Sequence, residues 1–173
     1  MKNKIMIKAY IKFWQNALKS EGISSRSDYW WTFLVNEIFR AIILFIELII
    51  ILNFFWGKIS PGFTETQLLE VANQAIDHPD TAMLTISIIY TIFNLVVMLP
   101  ITTLTARRLR DAGLPAGLAY PLPAIYIANA FAQFMNVPGL NAISGFLIFY
   151  QLLLLFLCFR PSIKNDPFQG DHQ

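Results

Sequence analysis

Two short stretches of this chain carry both signs of charge beside long apolar runs. "SRSDYW" holds Arg26 and Asp28, and "ARRLRD" holds Arg107, Arg108, Arg110 and Asp111. A guanidinium is permanently charged, and its planar fork grips carboxylates and phosphates. Two chemistries are therefore open to these residues: ion pairing within the protein, or capture of an anion such as a lipid phosphate. A segment that only orients a membrane protein needs Lys or Arg and no acid. The acids predict that the motifs pair with each other, Asp28 with Arg107 or Arg108 and Asp111 with Arg26, leaving a guanidinium for phospholipid.

A second group, Glu37, Arg40 and Glu47, interrupts an apolar run. On a helix all three fall within about 80° of one face. Three charges at the centre of a bilayer would cost roughly 9 kcal/mol, about what the apolar residues of the segment return. Pairing of Glu37 with Arg40 at i, i+3 near the interface would leave Glu47 as the one deep charge. As an intramembrane carboxylate it is a candidate proton carrier, cation ligand or substrate contact. The structural alternative is a bond to Arg40, Tyr90, Asn94 or Gln151, or protonation on burial.

Other chemistry is sparse. One cysteine, Cys158, and two histidines, His78 and His172, build neither a disulfide framework nor a familiar zinc site. There is no phosphate loop, nucleophile elbow, zinc-protease helix or nucleic-acid motif. The expectation is a protein that is not an enzyme, has no cofactor or metal and binds no nucleic acid. An enzyme acting on lipid headgroups would have to use Asp28 and Asp111, the only motif carboxylates.

The elements that position these groups follow from composition. Of 173 residues 55% are hydrophobic and 14% charged, well below the roughly 25% charged of a soluble domain, and the mean hydropathy is +0.51. This predicts an all-α integral membrane protein with four transmembrane helices, at about Trp31–Phe55, Ala82–Leu104, Leu118–Met135 and Ala142–Phe159. Pro121 and Pro123 would start the third late or kink it. Residues 1–27 form a cytoplasmic amphipathic helix and motif, 28–160 the membrane domain and 161–173 a cytoplasmic tail. No signal peptide is apparent, so the mature chain is expected to start at Met1.

Lysine and arginine set the orientation. Six of the thirteen precede the first span, three lie between the second and third, and two follow the fourth. The stretch 57–81 carries Lys58 against Glu65, Glu70, Asp77 and Asp80. By the positive-inside rule both termini and the arginine stretch face the cytoplasm. Along "KIMIKAYIKFWQNALK" the lysines Lys4, Lys8, Lys12 and Lys19 fall on one side of a wheel, and Ile7, Tyr10, Ile11, Trp14 and Leu18 on another. Such a helix suits the headgroup layer as an anchor, a lipid sensor or a docking site for an acidic partner. Ala124, Ala128 and Ala132 make a small-residue stripe for packing within the protein or between copies.

"GISSRSDYWW" resembles the G-R-x-x-R-x-E-Y-W motif, and "RRLRDAG" the R-R-L-H-D-x-G motif, of the bacterial inner-membrane family catalogued as domain of unknown function 805 (DUF805). The likeness covers nearly the whole chain. Ile23 stands where the family commonly has its first arginine, Arg110 where it has histidine, and its asparagine-tyrosine-glycine-proline tail survives loosely as "NDPFQG". The resemblance implies an inner-membrane location and this topology, and no activity. The expected function is association with anionic phospholipid, other membrane proteins or further copies of the chain through a basic cytoplasmic face. The alternative is a small transporter or channel-like protein working through Glu47.

Overall fold

The computed structural model describes residues 2–56, 58, 62, 64–135 and 140–163, with the side chains of all of these except 2–4, 76–77, 132–135 and 140–147. Among them the chain is all-helical: α1 (Lys2–Gln15), α2 (Arg26–Trp56), α3 (Glu65–Asp77), α4 (Thr81–Asp111), a 3-10 turn η1 (Ala116–Ala119), α5 (Leu122–Met135) and α6 (Leu140–Leu157). Contacts divide the chain into two units, one of Met1–Val35 with Asn94–Gln173 and one of Asn36–Phe93.

Among the described residues two helices, α2 and α4, are long and apolar enough to cross a membrane, each of 31 residues with a best 18-residue mean hydropathy of 2.5 and 2.2. At 1.5 Å per residue each extends roughly 46 Å, more than the ~30 Å of a hydrocarbon core. None of the residues in the apolar stretch of α2 is buried in the protein. Pro100 lies inside α4 without ending it. Just beyond it the Thr102 hydroxyl donates to the Met98 carbonyl at 2.7 Å and that of Thr103 to the Pro100 carbonyl at 3.0 Å.

Three boundaries differ from the sequence expectation. The arginine motif, expected between the second and third spans, forms the last turns of α4. The amphipathic helix α1 ends at Gln15, where the Lys12 carbonyl accepts from both the amide and the side chain of Asn16, at 3.1 and 2.9 Å; Leu18 and Lys19 lie beyond it. The stretch 57–81, which joins the first two expected spans, contains α3. Its start is a capping box: the Thr64 hydroxyl accepts from the Gln67 amide at 3.4 Å, and the Gln67 side chain accepts from the Thr64 amide at 3.0 Å, which satisfies two otherwise orphaned donors. Lys58 donates to the Gln74 side chain at 3.0 Å and sits 3.8 Å above the Phe54 ring, joining the end of α2 to α3.

The prolines act where expected. Tyr120 and Pro121 interrupt the helix, and α5 starts at Leu122 with Pro123 in its first turn, where the missing N–H costs nothing. The break frees the Leu118 carbonyl, and Tyr150 of α6 donates to it at 2.6 Å. α5 and α6 pack against each other. Of the alanine stripe, Ala124 is exposed and Ala128 half-buried; the side chain of Ala132 lies outside the described residues, as do residues 136–139 and "NDPFQG".

Candidate functional site

The last turns of α4 are the most buried part of the described chain, and Arg108 is at their centre with no exposed surface. Its Nε donates to the Cys158 carbonyl at 3.1 Å. Nη1 donates to Asp111 and to the Ser162 hydroxyl, the latter at 3.3 Å, and Nη2 to the Arg160 carbonyl. Ser162 also donates to Asp111. The last carbonyls of a helix lack partners, so one arginine both pairs an acid and caps the segment that follows α6. A buried ion pair repays its desolvation only when further hydrogen bonds satisfy it, and this one has them.

Gly113 makes the arrangement possible. It has φ of 71°, and the amides of Gly113 and Leu114 return to the carbonyls of Arg110 at 3.0 Å and Leu109 at 2.8 Å, the Schellman pattern that ends a helix. A β-carbon at this position would collide with the side chain of Ile163. The chain therefore turns away from α4 under the same segment that Arg108 holds.

Neighbouring groups fasten the N-terminal region. Arg110 donates to the carbonyls of Ser20 and, at 3.2 Å, Gly22. The Thr103 hydroxyl also reaches the Ala17 carbonyl at 2.9 Å, and the Ser24 amide donates to the Arg107 carbonyl at 3.3 Å. Tyr29 is buried, with Cys158 and Thr105, both also buried, beside its hydroxyl. Ala9 and Phe13 of α1 are buried at 3% and 1% exposure. The opposite side of α1 shows Ile7, Ile11 and Trp14 outward, flanked by exposed Lys8 and Lys12.

The residues singled out by sequence thus converge, with different partners. Asp28 accepts from Lys12 at 2.6 Å, and Asp111 pairs with Arg108 of its own motif. These ion pairs replace the expected exchange of Asp28 with Arg107 or Arg108 and of Asp111 with Arg26. Asp111 and Arg108 are three residues apart on one helix, so they meet without help from α2. Arg26 is exposed at the first position of α2. Arg107 is 4% exposed; its Nε donates to the Thr103 carbonyl at 3.3 Å, Asp28 is the charge that acts on it, and its buried Nη2 has no hydrogen-bond partner.

In the other unit Arg40 pairs with Glu37 at i, i+3, as the spacing predicts. Glu47 is half-buried on α2, with no hydrogen bond or ion pair among the described residues. Sequence reasoning missed Lys12, Tyr29 and Ser162 as partners; nothing in their local spacing marks them. Among the described residues no group of three or more His, Cys, Asp or Glu could hold a metal ion.

The model of a protein family described as "Protein of unknown function (DUF805)" matches residues 17–169, which include both motifs and every group of this site except those of α1. No curated protein and no solved structure is significantly similar to the chain.

Proposed function

The chain belongs to the DUF805 family, and we propose that within it this protein is a non-enzymatic, multi-pass component of the bacterial inner membrane that associates with anionic phospholipid or partner proteins through a basic cytoplasmic face. The reading takes the chain to cross the membrane four times. α2 and α4 supply two and α6 a third. The remaining one combines η1 and α5, roughly 8 Å and 21 Å long by their helical rises, close to a hydrocarbon thickness together. Non-helical backbone at membrane depth is tolerated where protein satisfies it, and the Tyr150 bond to the Leu118 carbonyl does so.

The observation that carries the lipid reading is the division of α1 into two apolar faces. One, Ala9 and Phe13, is spent on the protein; the other, Ile7, Ile11 and Trp14, stays outward beside exposed lysines. Apolar residues flanked by lysine on an outward face match the headgroup boundary, where each lysine gains about 1 kcal/mol from anionic lipid. Reporter fusions after Leu114 and Gln173 are expected to read as cytoplasmic and one at Glu70 as external; an external reading at Leu114 overturns the topology. A nitroxide at Ile11, in a Cys158→Ser background, is expected to lie in lipid in anionic nanodiscs, and a water-exposed nitroxide overturns the interfacial helix.

A second reading rests on Glu47, a carboxylate in the apolar stretch of α2 with no described partner. A small transporter or channel-like protein would use it as proton or cation site. Glu47→Gln abolishes flux in that case and leaves assembly intact.

A further inference from the structure

The three arginines of the α4 motif differ in what they have left to give. Arg108 spends every nitrogen on Asp111, Ser162 and the carbonyls after α6. Arg110 is engaged with the carbonyls of Ser20 and Gly22. Arg107 spends Nε on its own helix, and Nη2 is buried without a partner. A buried charged donor left unmade is costly, and native proteins normally explain such a group by a water, an ion or a ligand.

Its surroundings say which. The carbonyl of Arg107 is tied to Ser24, so the last turn of α4 is fixed beside the start of α2. The Asp28 carboxylate is near enough to act electrostatically on Arg107, and it accepts from Lys12 of α1 at 2.6 Å. Two cations thus attend one carboxylate, leaving one positive charge over. Lys12 is half exposed at 49% and retains two of its three ammonium donors. It also sits on the helix that turns Ile7, Ile11 and Trp14 outward.

We propose that Arg107 Nη2 and Lys12 Nζ form a binding site for the phosphodiester group of a membrane phospholipid, with Asp28 orienting both cations. The inference rests on the interfacial placement of α1 proposed above. The excess of one positive charge matches the single negative charge of a phosphodiester, whereas the second charge of free phosphate would meet the Asp28 carboxylate. The outward apolar side chains of α1 offer a surface for the acyl chains that free phosphate lacks.

The test uses the purified, delipidated full chain in detergent, read by native mass spectrometry with phosphatidylglycerol, with phosphate-free diacylglycerol and with inorganic phosphate. One phosphatidylglycerol is expected to be retained and diacylglycerol not. Arg107→Gln should weaken retention about tenfold or more, since a charge-assisted hydrogen bond is lost. Lys12→Gln should weaken it less, and Arg26→Gln should leave it within about twofold because Arg26 lies outside the site. A folded Arg107→Gln protein that retains the lipid like the parent overturns the site. If that variant does not fold, Lys12→Gln carries the reading, and undiminished retention there overturns it equally. Inorganic phosphate that displaces the lipid in an Arg107-dependent way overturns the lipid assignment in favour of a free anion. The Ile11 nitroxide separates the two proposals: lipid contact there with undiminished retention in Arg107→Gln defeats only the site, and water contact defeats the interfacial helix first.

Discussion

The end of α4 and the body of α2 use the same residue types for opposite purposes. Around Arg108 an arginine and an aspartate three residues apart are buried, with 0% and 6% of their side chains exposed, and further hydrogen bonds close the network. On α2 an arginine and a glutamate at the same spacing remain 19% and 37% exposed, on a helix whose large residues face outward, Phe45 at 63% and Leu52 at 58%. Contiguous apolar surface on that scale is untenable in water and natural in lipid, which is the solvent the proposed topology gives it. One region coheres through polar groups taken out of solvent, the other through an apolar surface given to solvent. Spacing alone makes an ion pair; the packing around it decides whether the pair carries stability.

That comparison predicts graded effects. Arg108→Leu should be the most damaging, by about 3–5 kcal/mol, because it strands Asp111 as an uncompensated buried charge and frees the carbonyls of Cys158 and Arg160. Thermal denaturation in detergent would show this, and Arg108→Lys should recover little, since an ammonium lacks the planar fork. Gly113→Ala should cost roughly 1–2 kcal/mol from the left-handed backbone, plus displacement of Ile163. Hydrogen exchange should then locate the loosening at Leu109–Leu114. Glu37→Gln should cost least, about 0–1 kcal/mol, as a partly solvated pair is worth little. A loss from Glu37→Gln equal to that from Arg108→Leu would break the contrast between the regions.

Legibility divides along the same line. The i, i+3 pair of Glu37 and Arg40, the late start of α5 after Pro121 and the amphipathic α1 were all readable from spacing. So was α3 in principle, since Thr64 and Gln67 carry the capping-box spacing, although the excess of acid across 57–81 speaks to topology and not to helix. The arginine motif stands out in the sequence but its place inside α4 does not, because a run of charge after an apolar segment ordinarily marks the end of a span.

By itself the sequence determined whatever depends on neighbours along one helix: the apolar lengths of α2 and α4, the helix breaks at proline and glycine, the pairing of residues three apart, and the family. Helical geometry fixes those distances whatever else the chain does. Tertiary structure alone decided that Asp28 goes to Lys12, that Arg108 sits under Cys158, Arg160 and Ser162, and that Arg107 is left with a buried donor to spare. These partners lie 16 to 54 residues apart, and their meeting depends on which helix faces pack together, a choice that burial of Ala9, Phe13, Tyr29 and Leu109 makes and that no local spacing records.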